Sequence, residues 1–137
     1  MSNFEKISLQ LQAIPESAGE IRRKVRESAA TVGFNSEALY DLLVGIGEAF
    51  NNAVQHGNAV NNGGIEASIS ANHEEIVVVL NYIGEGFVHE IPSASETYKL
   101  GSGGLGRFLM YSLLDEVKYT ILDGHTYVRL TKRKSAS

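Results

Sequence analysis

The chain has 137 residues, of which 43% are hydrophobic and 20% charged, and its formal net charge is −4. These values predict one soluble globular domain over residues 1–137 and argue against direct nucleic-acid binding. The absence of cysteine excludes disulfides, thiolate metal sites and thiol catalysis. Because no apolar run reaches the roughly 20 residues of a membrane span and the amino terminus has no signal-peptide pattern, we expect a cytoplasmic protein that does not contact a membrane.

The first predicted element is a strand, because Ile7, Leu9 and Leu11 alternate with polar residues. Proline then opens a helix over residues 15–32, which Gly33 ends. That helix carries a basic cluster, which we interpret as a solvated face or a partner surface. The members of the cluster are Arg22, Arg23, Lys24 and Arg26.

A second, longer helix is predicted from Ser36, its N-cap, to His56. Its apolar residues fall on one arc centred on Ile46, and its polar residues lie on the opposite side. On that polar side, Glu37 and Asp41 are expected to be merely solvated.

The rest of the chain has the pattern of antiparallel hairpins separated by a third helix. The predicted strands are 65–71, 76–80, 117–122 and 126–130, the third helix ends at about residue 115, and residues 131–137 form a frayed tail. Helices separated by antiparallel hairpins indicate an α+β fold. We therefore predict a two-layer sandwich with three main helices on one face of a mainly antiparallel sheet.

The second helix carries the most informative motif. Glu48, Asn52 and His56 are spaced four residues apart, so in a helix they lie about 40° apart along one stripe. A carboxylate one turn from an amide oxygen suits an enzyme that holds a hydrated divalent cation and deprotonates or orients a nucleophile. The alternative is a polar helix face that is only solvated, and for Glu48 and Asn52 taken alone this is the commoner case.

Glycines form the second motif. They cluster in two short runs, Gly84-Glu-Gly86 and Gly101-Ser-Gly-Gly-Leu-Gly106. The segment between these runs, residues 87–100, is predicted to be a mobile lid hinged by glycine at both ends. The second run leads into the third helix, where glycines let backbone amides approach an anion at the positive end of the helix dipole. Glycine loops without a ligand are also common, so this motif alone is weak evidence.

Together the motifs resemble the ATP-binding domain shared by gyrase, the heat-shock chaperone, histidine kinases and mismatch-repair ATPases. More closely, the chain resembles the bacterial anti-sigma-factor serine/threonine kinases. The Glu48…Asn52…His56 segment resembles the first box of that family, Gly84-Glu-Gly86-Phe87 the second, and Gly103-Gly-Leu-Gly106 the third. Three boxes in this order are far more specific than any one alone. The resemblance covers nearly the whole chain and implies the histidine-kinase-type ATP-binding fold.

The resemblance also implies a role for each of these residues. Glu48 corresponds to the general base of the family, and Asn52 to the amide that binds Mg²⁺. The implied nucleotide-binding residues are Asn52, His56, Tyr82, Gly84, Gly86, Gly103, Gly104, Leu105, Gly106 and, as the loosest match, Thr126.

ATP and Mg²⁺ are the cofactors that the resemblance implies. Proteins of this family sequester a sigma factor and phosphorylate a serine on a small antagonist, the anti-anti-sigma protein, and the antagonist is what releases the sigma factor. The implied partners are therefore a sigma factor and an antagonist protein. A homodimer is compatible with the resemblance.

Tyr82 departs from the family pattern. The second box normally begins with an aspartate two residues before its first glycine, and that carboxylate accepts a hydrogen bond from the adenine amino group. Asn81 replaces it only if a β-bulge shifts the strand by one residue. Losing a charge-assisted hydrogen bond costs about 1.5–3 kcal/mol, or roughly ten- to hundredfold in affinity.

Two hypotheses of different class therefore stay open. The first is an ATP- and magnesium-dependent protein kinase, which Glu48 and Asn52 favour. The second is a degenerate domain in which Tyr82 fills the adenine space, and which regulates a transcription partner by sequestration alone.

Overall fold

The computed structural model describes residues 4–56, 64–84 and 101–134. The strands are β1 (Phe4–Leu11), β2 (Ile65–Asn72), β3 (Glu75–Ile83), β4 (Glu116–Leu122) and β5 (His125–Arg133), and the helices are α1 (Ala18–Val32), α2 (Ser36–His56) and α3 (Gly101–Leu113). Within these ranges, no helix is long and apolar enough to cross a membrane.

The described strands form one antiparallel sheet in the order β1-β2-β3-β5-β4. The β4–β5 hairpin turns at Asp123 and Gly124, which both have positive φ, the conformation that an Asp-Gly pair adopts in a two-residue hairpin. The pairing of β3 with β5 continues without a shift through Asn81 and Tyr82. No bulge therefore moves Asn81 into the position of the aspartate that the family pattern expects.

Helices cover one face of the sheet. Along β2 every second residue is buried, beginning at Ile65, because a strand presents alternate side chains to the same face. The buried arc of α2 packs over this layer; it comprises Ala38, Leu42, Ile46, Ala49, Phe50 and Ala53. Removing each large side chain from water contributes about 1.5–3 kcal/mol to folding. The predicted α+β sandwich is confirmed.

The start of two helices differs from the prediction. The residue that caps α2 is Asn35 and not Ser36, since the carbonyl of Asn35 accepts the first helical hydrogen bond, from the N–H of Leu39 at 3.1 Å. Before α1, Pro15–Ser17 forms a turn of 3-10 helix, so the α-helix itself begins at Ala18.

The predicted tail at residues 131–137 is partly wrong, because β5 continues to Arg133. Lys132 explains the extension: its Nζ donates to the carbonyl of Leu113 at 2.6 Å and lies 3.3 Å from the carboxylate of Asp41. The lysine thereby ties β5 to the end of α3 and to α2. Asp41, expected to be only solvated, is one half of this partly buried ion pair.

Candidate functional site

Helices α2 and α3 meet where Glu48 faces the second glycine run. The carboxylate of Glu48 lies against Gly106: a Cβ atom at position 106 would stand 2.6 Å from Cδ and 3.0 Å from Oε2 of Glu48. Because Cβ atoms do not approach other atoms so closely, this position has room only for glycine. The predicted carboxylate and the predicted phosphate segment therefore lie side by side.

Asn52 lies one turn after Glu48 on α2 and is only 5% exposed. Its amide nitrogen is buried and has no hydrogen-bond partner within the described ranges. A buried amide group without a partner is costly, about 1–3 kcal/mol, and such groups in native proteins usually serve a ligand, an ion or a water. Asn52 therefore keeps hydrogen-bonding capacity for a bound molecule.

Tyr119, on β4, lies beside Asn52. Burial raises the pKa of the Tyr119 phenol, and the nearby amide of Asn52 lowers it by a smaller amount. The phenols of Tyr82 and Tyr111 and the carboxylate of Glu48 are close enough to raise that pKa further. Tyr119 thus connects the Glu48–Asn52 half of the site with the half built around Tyr82.

Tyr82 and Thr126 are directly paired across β3 and β5 on the helix-covered face. They are 3% and 1% exposed, and their side chains are hydrogen-bonded to each other. Burial raises the pKa of the Tyr82 phenol above its ordinary value of 10.0. The hydroxyl of Thr126 donates to the carbonyl of Gly84 at 2.7 Å, and the N–H of Gly84 donates to the carbonyl of Gly124 at 2.6 Å. Three of the predicted nucleotide-binding residues therefore form one hydrogen-bonded cluster at the end of β3.

A cleft of about 540 Å³ opens beside Glu48, with lining residues from α1, α2 and α3. Arg22 and Arg26 supply its basic wall, and the exposed side chains of Tyr40 and Leu109 lie on its rim. Gly47 makes room for the arginine: a Cβ atom there would stand 3.0 Å from Nη1 of Arg22. The cleft therefore combines two cations, apolar surface and the carboxylate of the candidate base.

The predicted basic cluster on α1 divides into two pairs. Arg23 and Lys24 face Glu27, at 3.0 and 3.6 Å, and such exposed pairs contribute little to stability. Arg22 and Arg26 line the cleft instead. The alternative that we left open, solvated face or partner surface, therefore separates by residue.

The remaining predicted residues are only partly described. Gly103, Gly104 and Leu105 lie within the first turns of α3, which begins at Gly101, so the run is helical there and not an open loop. His56 is the last residue of α2, and its side chain is outside the described part of the structure. Gly86 and the predicted lid also lie outside the described residues, so their roles stay predictions.

Sequence reasoning missed Tyr119, Arg22 and Arg26 as site residues. Tyr119 was recoverable in part, since the alternation of β4 places Val117, Tyr119 and Ile121 on the covered face, where a phenol needs a polar partner. The arginines had been noticed, but which of them face Glu48 depends on how α1 packs against α2.

These residues fit a nucleotide held with Mg²⁺. Asn52 offers a buried amide, and the bare backbone of Gly106 leaves room beside the carboxylate of Glu48. Among residues 4–56, 64–84 and 101–134, no group of three or more histidine, aspartate or glutamate side chains could hold a metal ion. Asn52 would therefore hold Mg²⁺ together with phosphate oxygens and water, as is usual for magnesium in nucleotide sites.

Comparison with known proteins gives the same family at the level of sequence. The family of the histidine kinase-like ATPase domain matches residues 11–132. The serine-protein kinase RsbW of Oceanobacillus iheyensis is 33% identical over 127 residues, which cover 86% of this chain and 80% of the relative. The RsbW of Bacillus subtilis is 30% identical over 141 residues, covering 96% of this chain and 87% of the relative.

Solved structures share the fold. The RsbU and RsbW domains of a Mycobacterium tuberculosis protein match with a TM-score of 0.70 and 20% identity, over 96% of this chain and 34% of that longer chain. The SiaB–SiaC complex of Pseudomonas aeruginosa matches with a TM-score of 0.65 and 13% identity, over 93% of this chain and 88% of that one. The resemblance seen in the sequence is therefore confirmed: the chain belongs to the histidine kinase-like ATPase domain family and, within it, to the group of RsbW serine-protein kinases, the bacterial anti-sigma factors.

Proposed function

We propose that this chain is an anti-sigma regulator that uses ATP with Mg²⁺ to phosphorylate a serine or threonine of a small antagonist protein. The observation that carries the proposal is the position of Glu48, whose carboxylate lies against Gly106 in the glycine run of α3. The partly buried, ligand-ready Asn52 lies one turn away on the same helix. A base, a metal ligand and a phosphate segment must meet in this way at one triphosphate.

In this proposal Glu48 acts as the general base. Its carboxylate accepts the proton of the acceptor hydroxyl, whose oxygen bonds to the γ-phosphorus while the bond from that phosphorus to the ADP oxygen breaks. The metal ion would neutralise charge on the phosphates. Asn52 and Gly106 position the reacting groups, and positioning supplies most of the catalysis in phosphoryl transfer.

The cleft beside Glu48 supports a protein as the phosphate acceptor. A free small molecule does not need a groove of about 540 Å³ outside the nucleotide region, whereas a protein segment does. Arg22 and Arg26 would attract acidic residues of that segment, and the exposed ring of Tyr40 provides apolar surface. The names of the relatives, serine-protein kinases, support the same acceptor class.

A second function is favoured by one specific observation. Tyr82 is 3% exposed and belongs to the hydrophobic core, as expected of a ring that fills the space in which an adenine would sit. In that case the chain holds its transcription partner by binding alone. Glu48 would then have no chemical role.

Transfer of labelled phosphate separates the two functions. The wild-type chain is incubated with Mg²⁺ and γ-labelled ATP and with the anti-anti-sigma protein of its own cell, beside Glu48→Gln and the matched control Glu37→Gln in the exposed first turn of α2. Kinase activity predicts labelling by wild type and Glu37→Gln, and at least a hundredfold less by Glu48→Gln. If the wild type binds a sigma factor yet transfers no label, the kinase proposal is wrong and sequestration alone is supported.

A further inference from the structure

The hydrogen bonds around Tyr82 have a fixed direction. A carbonyl oxygen cannot donate, so the hydroxyl proton of Thr126 must be the one that goes to the carbonyl of Gly84, at 2.7 Å. A threonine hydroxyl has only one proton. In its hydrogen bond with Tyr82, Thr126 is therefore the acceptor and the neutral phenol is the donor.

This order leaves the Tyr82 oxygen with one kind of capacity. Its proton is committed to Thr126, and its remaining lone pair can only accept. The oxygen therefore presents an acceptor, as a carboxylate at the same position would, but without the negative charge. A ligand group that meets it must carry an N–H or O–H.

We propose that Tyr82 determines the base specificity of the nucleotide site: its hydroxyl oxygen, held as an acceptor by Thr126 and Gly84, accepts a hydrogen bond from the exocyclic amino group of a 6-aminopurine nucleotide and disfavours a 6-oxopurine. This inference rests on the proposed nucleotide-dependent function. It assigns to the aromatic residue the selection that the missing aspartate would otherwise make.

Burial makes this selection effective. Tyr82 and Thr126 are 3% and 1% exposed, so water is not at hand to satisfy a mismatched partner. A keto oxygen facing the Tyr82 oxygen would place two acceptors against each other, and buried polar groups without partners are the main source of such discrimination. A neutral hydrogen bond gives about 0.5–1.5 kcal/mol, or roughly two- to tenfold in affinity.

The test is calorimetric titration with two nucleotides that differ only at this group, adenosine diphosphate and inosine diphosphate, both with Mg²⁺. The proteins are wild type, Tyr82→Phe, Thr126→Val and the control Tyr127→Phe, which changes the next tyrosine of the same sheet on its open face. Melting temperatures establish that each variant is folded. The measured quantity is the ratio of the two dissociation constants.

The expected results differ for each variant. Wild type and Tyr127→Phe should prefer the adenine nucleotide about five- to tenfold, and Tyr82→Phe should bring the ratio close to one. Thr126→Val frees the Tyr82 proton for donation to a keto oxygen, so the ratio should move toward the inosine nucleotide. A role of Tyr82 in packing alone would lower both affinities together and leave the ratio unchanged.

Two outcomes would overturn the inference in different ways. Equal binding of both nucleotides by the wild type refutes the specificity role while leaving the proposed kinase function standing. Binding of neither nucleotide at millimolar concentration refutes the proposed function, and the specificity role with it. If Tyr82→Phe does not fold, the ratio measured on wild type and its shift in Thr126→Val decide the question.

Discussion

The carboxylate of Glu48 rests on the backbone of Gly106, so that a single added methyl group would occupy the space of its Cδ atom. The two residues come from different helices and are 58 positions apart in the chain, as their numbers show. A glycine in a helix normally costs about 0.5–1 kcal/mol relative to alanine. Here that cost is accepted at a position where the carboxylate needs the room.

Gly106→Ala should therefore separate activity from stability. The new Cβ atom displaces the flexible end of Glu48, so we expect phosphate transfer to fall at least tenfold, while the gain in helix propensity keeps the free energy of unfolding within about 1 kcal/mol of wild type. Transfer assays and urea denaturation measure the two quantities. The control is Gly19→Ala in α1, where a Cβ atom meets nothing within 4 Å. Full activity of Gly106→Ala would refute the assigned position of the base.

Lys132 should be one of the most important charges for stability. Lys132→Met removes the hydrogen bond to the Leu113 carbonyl and leaves Asp41 without its partner in a partly buried position. We expect a loss of about 2–4 kcal/mol in the free energy of unfolding. The matched control is Arg133→Met, because Arg133 is 62% exposed and its pair with Glu75 is 3.6 Å long; it should change stability by less than about 0.5 kcal/mol. Equal effects of the two substitutions would contradict this account of Lys132.

Local patterns carried much of the fold and part of the site. The predicted limits of α2, Ser36 to His56, coincide with the observed ones, because a long amphipathic period is a strong signal. The spacing of Glu48 and Asn52 and the glycine run near Gly106 are also local. Their recognition needed only the order of three short motifs along the chain.

The remaining features depend on contacts between distant parts of the chain. Nothing near Lys132 in sequence indicates that it bonds to Asp41, and nothing near Asn52 indicates that Tyr119 of β4 lies beside it. The strand order, in which β5 lies between β3 and β4, creates these neighbours. Periodicity gives the face on which a residue lies, whereas its partner is set by packing of the whole domain.

Tyr119 should make the protein sensitive to alkaline pH. Burial raises the pKa of its phenol above 10.0 in the folded state, so its contribution to stability is complete below the unfolded pKa of about 10 and is lost as the pH rises from there toward the folded value. Above pH 10, the phenol contributes a loss of about 1.4 kcal/mol per pH unit. Urea denaturation of wild type and Tyr119→Phe between pH 8 and roughly 11 tests this, with Tyr40→Phe, at a 68% exposed position, as the control. Identical slopes for wild type and Tyr119→Phe would show that the phenol is not protected by burial.

The last prediction concerns Arg22, which lies over Gly47 in the cleft beside Glu48. If the cleft receives the protein substrate, Arg22→Ala should raise the KM for the antagonist about tenfold, the effect of losing one charge-assisted contact, and should leave the dissociation constant for ADP with Mg²⁺ unchanged. Arg23→Ala is the matched control, because Arg23 is the adjacent arginine but pairs with Glu27 outside the cleft. The steady-state kinetics should also depend on salt, since exposed charges are screened within about 8 Å at physiological ionic strength. An equal loss of ADP affinity and antagonist affinity in Arg22→Ala would place this arginine in the nucleotide site, and the cleft would then no longer be supported as the route of the protein substrate to Glu48.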